Sequence, residues 1–252
     1  MSHHEDHEAD HTPEAIRKRL SEDNAQGFLK DSIYGAIDGA VTTFAVVSSV
    51  AGAGLNSGIV IILGLANLLA DGFSMASGNF LGTRAENQAA RKARREEAEE
   101  IDKHPEGERE EIRQIYAAKG FEGETLEKIV ETITADNSRW LDTMLQEEHG
   151  LSGPQPSPLK AALATFFAFL VIGAIPLSAY IVDLADPDIL GSPFLPACIL
   201  TGIAFFAVGA MKGRAVDQHW LLGGLETLGI GAFAASMAYA IGVLLRPLAE
   251  GL

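Results

Sequence analysis

The amino-acid sequence predicts an all-α polytopic membrane protein of five transmembrane helices, with a charged helical insert between the second and the third. Three observations carry this expectation. First, five stretches, 33–55, 58–82, 161–182, 193–211 and 221–245, are 19 to 25 residues long and almost free of charge. A bilayer core of about 30 Å takes about 20 helical residues at about 1.5 Å each, so every stretch is long enough to span. Second, five such stretches in 252 residues leave too little amphipathic sequence to coat a soluble globule. Third, residues 84–150 change character completely, with 11 Lys and Arg against 18 Asp and Glu.

The chain divides accordingly into a His- and acid-rich N-terminal tail (1–30), the first two spans (31–83), the insert (84–152) and the last three spans (153–252). The tail, "MSHHEDHEADHTPEAIRKRLSEDNAQ", has no basic segment followed by an apolar one, so it is not expected to be a cleaved signal peptide, and the first span serves as its own insertion signal. Its His3, His4, His7 and His11 are metal-binding residue types, but ordering a tail costs entropy and such binding is weakly specific.

In the insert, "GTRAENQAARKARREEAEEIDKH" is rich in strong helix formers, and Pro105 with Gly107 is expected to break that helix. "EGEREEIRQIYAAKG" predicts a second helix ending at Gly120, with Ile112, Ile115 and Tyr116 as a short apolar stripe. "ETLEKIVETIT" predicts a third. "NSRWLDTMLQEEHG" predicts a fourth, capped by Asn137 or Ser138 and stopped at Gly150.

Basic residues orient the spans. Arg84, Arg91, Lys92, Arg94, Arg95 and Lys160 flank the insert, and Lys212 with Arg214 follows the fourth span, whereas the loops near 54–57 and 183–192 are poor in Lys and Arg. By the positive-inside rule the N-terminus and the insert face the cytoplasm and the C-terminus faces away; Arg246 alone is too little to reverse this.

Carboxylates at bilayer depth are costly and usually mark an ion path or a buried pair. The first span holds Asp38, between Gly35 and Gly39, with Thr42 one turn later. In the second, Asn67, Asp71, Met75 and Asn79 recur every four residues and form one stripe, which faces protein or water rather than lipid. Glu226 lies in the fifth. Hydrogen-bonded contacts between helices are the alternative use of such a stripe, and plain packing is the alternative for Met75.

Several function classes are excluded. The single cysteine, Cys198, allows neither an intrachain disulfide nor a site built on several thiolates. A net charge of −15 disfavours nucleic acid and attracts cations. No phosphate-binding Gly-x-x-x-x-Gly-Lys-Ser/Thr loop occurs, so an ion gradient rather than a nucleotide would drive any transport. The run "REEAEEIDKHPEGEREEI" at 95–112 places Glu97 with Glu100, and Glu108 with Glu111, each three apart on one helix face. Read alone, such a run is more readily a solvated, salt-bridged surface than a cation site.

The segments "DGAVTTFAVVSSVAGA", "LLADGFSMASGNFLGTRAE", "WLDTMLQEEHGL" and "GLETLGIGAFAASMAYAIG", in that order around a Glu-rich insert, resemble the vacuolar iron transporter family, related to the yeast calcium-sensitive cross-complementer proteins; the resemblance covers residues 28 to 248. It implies five transmembrane helices, a cytoplasmic metal-binding insert, a homodimer and proton-driven export of Fe²⁺ or a related divalent ion such as Mn²⁺, Zn²⁺ or Co²⁺. The protein would be a transporter rather than an enzyme, with no cofactor required. The host would be the plasma (inner) membrane of a prokaryote or the vacuolar membrane of a eukaryote.

Carried over by position, the family's insert ligands fall on Glu97, Glu100, Glu108, Glu111, Met144 and Glu148, and its membrane-path residues on Asp38 and Met75. The remaining polar residues of the spans, Thr42, Asn67, Asp71, Asn79 and Glu226, join the path as lesser candidates. Many relatives have Gly-Glu-Tyr where this chain has Gly78-Asn79-Phe80, and Asp71 stands where a small residue is common. Carboxylates alone suit Mg²⁺, Ca²⁺ or Mn²⁺, and an added thioether shifts the preference towards softer ions. Two other readings remain: a membrane-anchored metal sensor, and a carboxylate di-iron ferroxidase. The latter needs Glu-x-x-His on two helices, and Glu8 to His11 is the sole match.

Overall fold

The structure is a computed structural model that describes residues 26–153 and 155–250, together with Thr12, Pro13 and Arg17; the tail histidines His3, His4, His7 and His11 lie outside the described residues. The described residues form helices and no strand. In chain order the helices are α1 (Gln26–Gly52), α2 (Ser57–Lys103), α3 (Pro105–Ala118), α4 (Gly123–Thr134), α5 (Asn137–Glu147), α6 (Pro158–Gly173), α7 (Ile175–Ala185), α8 (Pro187–Leu190), α9 (Phe194–Ala215) and α10 (Trp220–Glu250). They fall into two compact units, one holding Thr83–Pro156 and the other Ala25–Gly82 with Ser157–Leu252.

Four helices, α1, α2, α9 and α10, are each long and apolar enough to cross a membrane. The third apolar stretch is instead a pair, α6 and α7, bent by 45° at their junction. Pro176 sits in the first turn of α7, and a proline ring cannot extend α6 without losing an N–H bond and striking the carbonyl four residues back. The second stretch and the first helix of the insert are one element: α2 runs unbroken for 47 residues through both. Both halves are good helix formers, and the change at Gly82–Thr83 is one of polarity, not of backbone preference.

In the membrane unit, α1 is the central element. Gly35 and Gly39 lie directly against the backbone of Thr165 and Phe169 on α6, with no room for a side chain. Gly52 and Gly242 do the same between α1 and α10, and Gly209 with Gly223 between α9 and α10. Small residues let helix backbones approach closely where lipid provides no hydrophobic drive. Gly223, Gly224 and Gly231 also meet atoms of neighbouring helices with no room for a side chain, whereas a side chain at Gly229 would meet nothing within this chain. The buried core runs through Phe44, Val47, Phe169, Leu177 and Phe205. Outside it, Ile62 and Phe73 of α2, and Phe233 and Leu244 of α10, are well exposed, as lipid-facing residues are.

The fit at Gly39 makes a direct prediction. Gly39→Val must push two backbones apart, and its cost is expected at the upper end of the ~1–3 kcal/mol of ordinary overpacking. The measurement is the thermal midpoint of the detergent-solubilised protein; a midpoint equal to that of the parent would contradict the close α1–α6 contact.

The insert unit closes over its own core of Ile101, Ile112, Leu126, Val130, Ile133, Trp140 and Met144. Ile115 and Tyr116 pack against it, as the stripe on α3 predicts. Two local expectations are corrected. The chain breaks at His104; Pro105 opens α3, where its missing N–H is unneeded, and Gly107 lies inside the helix. The cap of α5 is Asp136, whose carboxylate accepts the Arg139 N–H at 2.8 Å, rather than Asn137 or Ser138. Past α3, Gly120 takes a φ of +93°, which a side chain would oppose.

Candidate metal centre

α2 carries Glu97 and Glu100 one turn apart, and the turn at His104 sends α3 back so that Glu108 and Glu111 meet them. The end of α5 adds Glu148 and His149. Electrostatic interactions link Glu97 with Glu100, Glu108, Glu111 and Glu148, and Glu111 with Glu100 and Glu148, so five of the six expected insert ligands converge. Glu97 is 1% exposed and Glu108 6%, whereas Glu100, Glu111, Glu148 and His149 are exposed. The cluster therefore has a buried floor and a solvent-facing rim.

The floor is unsatisfied. Glu97 Oε1 and Glu108 Oε2 are buried with no hydrogen-bond partner. A lone buried carboxylate is costly, so such groups are kept protonated or paired with a cation. Burial, followed by the Glu97 carboxyl beside it, pushes Glu108 up to about 8. Burial also raises Glu97, with Glu148, Glu100 and Glu111 adding repulsion and Glu108 partly offsetting it. Glu111 is raised by burial and then by Glu148 and Glu100. On the outward faces of the same helices the pattern reverses. Glu99 pairs with Lys103 at 2.9 Å, Glu96 with Lys92 at 3.4 Å, and Glu110 bonds Arg113 and Gln114. Glu99 and Glu110 are accordingly held below the usual carboxylate range by these partners.

Met144 is fully buried in the insert's apolar core, one turn before Glu148. The residue that sequence reasoning passed over is His149. Its Nε2 lies 3.3 Å from Glu97 Oε2, and one ligand atom each from Glu97, Glu148 and His149 lie within 4.8 Å of one another. The available signal was its place directly after Glu148 at the end of α5.

In the membrane unit, Asn67, Asp71, Met75 and Asn79 are all half-buried along one side of α2, and Met75 packs against the core. Asp38, half-buried on α1, is near enough to Asp71 for the two carboxylates to interact. The Asn67 amide nitrogen is buried without a partner. Asn79 donates to Asp31 Oδ1 at 3.0 Å and to Thr165 Oγ1 at 2.7 Å, joining α2 to α1 and α6. A glutamate at position 79 would set two carboxylates face to face there. The Thr42 hydroxyl donates to the Asp38 carbonyl oxygen at 2.9 Å, an intrahelical bond. Glu226 pairs with Lys212 at 3.1 Å between α10 and α9.

These features define an all-helical membrane protein with a carboxylate-rich helical insert. The sequence model of the VIT family matches residues 29–243, and the chain belongs to that family. Among similar proteins, the vacuolar iron transporter of Toxoplasma gondii is 31% identical over 248 residues, 96% of this chain and 78% of that one. The vacuolar iron transporter 1 of Tulipa gesneriana is 30% identical, covering 86% of this chain and 87% of its own length. The vacuolar iron transporter of Plasmodium falciparum is 32% identical, covering 90% and 84%. These relatives are named as transporters, in keeping with the expectation that the chain is not an enzyme.

Proposed function

We propose that this chain exports Fe²⁺, with Mn²⁺ as an alternative cargo, from the cytoplasm in exchange for protons. The observation that carries the reading is the convergence of Glu97, Glu100, Glu108, Glu111 and Glu148 around buried, unpartnered oxygens. The insert captures the ion with these carboxylates, and Met144 adds a thioether after a local rearrangement. Asp38, with Asp71 and Met75, receives it within the membrane. Asn67 and Asn79 line or brace that path, Thr42 shapes α1, and Glu226 with Lys212 stands at its margin. Cation exchange at Asp38 is a competition: the carboxylate binds metal when ionised and releases it when protonated.

In this reading the bent α6–α7 pair crosses as one span, giving five. The insert, residues 84–152, and the N-terminus face the cytoplasm, and two copies form a homodimer. The membrane is vacuolar in a eukaryote and the plasma (inner) membrane in a prokaryote. The names of the relatives support the vacuolar assignment, and the basic flanks of the insert support its cytoplasmic side. The test is flux into liposomes holding the purified protein. An imposed proton gradient is expected to drive Fe²⁺ uptake, and Mn²⁺ to compete. Metal binding without flux would instead establish a membrane-anchored sensor, and oxygen consumption on adding Fe²⁺ a ferroxidase.

A further inference from the structure

We infer that His149 is a nitrogen ligand of the capture site, which turns an all-oxygen cluster into a mixed carboxylate–imidazole site that ranks Zn²⁺, Co²⁺ and Fe²⁺ above Mn²⁺. The inference rests on the metal-capture reading, and His149 lies outside the ligand pattern to which the family resemblance extends.

The geometry is specific. Glu97, Glu148 and His149 each offer a ligand atom within 4.8 Å of the other two. Ligands about 2.1 Å from one tetrahedral ion stand about 3.4 Å apart; Glu97 and His149, at 3.3 Å, already have that spacing, and the widest pair of the set closes by no more than about 1.4 Å of side-chain movement. Glu97 reaches this point from below, 1% exposed and with Oε1 unpartnered, while its Oε2 faces the imidazole at 3.3 Å. The His149 side chain is 34% exposed, so one edge of the ring meets the buried carboxylate and the rest stays open to solvent. A cation arriving between them binds the Glu97 carboxylate and takes the imidazole as its outermost ligand.

Imidazole changes what the site prefers. Carboxylates select hard ions by charge, whereas an imidazole nitrogen favours the later divalent transition metals, whose affinities for nitrogen rise from Mn²⁺ through Fe²⁺ and Co²⁺. The competing role for His149 is an ion pair that, when protonated, only neutralises Glu97. That role would not discriminate between metals.

The experiment uses the full chain in detergent with His3, His4, His7 and His11 replaced by Ala, so that tail imidazoles do not report. Dissociation constants for Zn²⁺, Co²⁺ and Mn²⁺ are measured by calorimetry. His149→Ala is expected to weaken Zn²⁺ and Co²⁺ by at least ~10-fold, as losses around metal ligands do, and Mn²⁺ by less than ~3-fold. His149→Glu, which restores an oxygen donor, is expected to hold Mn²⁺ near the parent value while Zn²⁺ stays weakened. The Co²⁺-loaded parent is expected to show a hyperfine-shifted imidazole N–H resonance that His149→Ala lacks. Equal losses for the three metals, or no loss, would overturn the nitrogen-ligand assignment while leaving capture by the glutamates standing. If Glu97→Gln also leaves all three constants unchanged, the capture reading itself fails.

Discussion

Asp38→Asn is expected to reduce proton-driven metal flux in liposomes by at least ~100-fold, while metal binding by the insert stays within ~2-fold of the parent. The residue is held in place by its neighbours: Gly35 and Gly39 press α1 against the backbone of α6, so the carboxylate between them has little freedom to relocate. It is also paired electrostatically with Asp71 across to α2. Two nearby carboxylates attract a divalent ion more strongly than either alone, and protonating one weakens that attraction. The amide of Asn keeps size and polarity but removes both the charge and the titration. Asp71→Asn, which leaves Asp38 able to titrate, is expected to slow flux less. Flux in Asp38→Asn equal to that of the parent would remove Asp38 from the path.

The second large effect is a pH dependence of capture set by Glu108. A glutamate ordinarily titrates near 4.5, and in the folded insert Glu108 is pushed up to about 8 by burial and by Glu97. Below 4.5 both folded and unfolded chains hold this proton. Between 4.5 and about 8 the unfolded chain loses it while the folded chain keeps it, so the metal-free insert loses stability as pH rises through this window. Metal binding runs the other way, because the ion must displace that proton; affinity climbs by about 10-fold per pH unit for each proton released, and levels off above about 8. Glu97 and Glu111 are also raised, so the slope exceeds one proton in part of the range. Calorimetry in two buffers of different ionisation enthalpy counts the protons released. Glu108→Gln is expected to release about one fewer and to flatten the metal-free stability profile; an unchanged proton count would show that Glu108 is already ionised before metal arrives.

The sequence was most informative where composition alone governs. Long apolar stretches become helices because nothing else satisfies a backbone in lipid, and four of the five appear as single helices long enough to cross. The insert's apolar stripe at Ile112, Ile115 and Tyr116 lies on its core as periodicity requires. Boundaries were less legible. Composition shifts sharply near Gly82 while the helix does not stop, because polarity and backbone propensity are different quantities. The break expected at Pro105 with Gly107 falls just before Pro105, at His104, and leaves Gly107 inside the next helix, because proline starts a helix more readily than it ends one.

Within the acidic run, spacing separates the glutamates by face: Glu97 and Glu108 are buried, while Glu99 and Glu110 pair with Lys103 and Arg113 on the surface. Spacing on one helix cannot tell which residue of another helix will meet that face. Two facts depended on such meetings. His149 reaches Glu97 from 52 positions away, and Asn79 finds Asp31 and Thr165 on two other helices. By itself, then, the sequence determined the helical class, the number of apolar stretches and the faces that carry charge, since these follow from local composition and period. The tertiary structure alone decided which carboxylate oxygens are left buried without a partner, and that His149 meets the Glu97 carboxylate, because desolvation and contact arise only when separate helices are brought together.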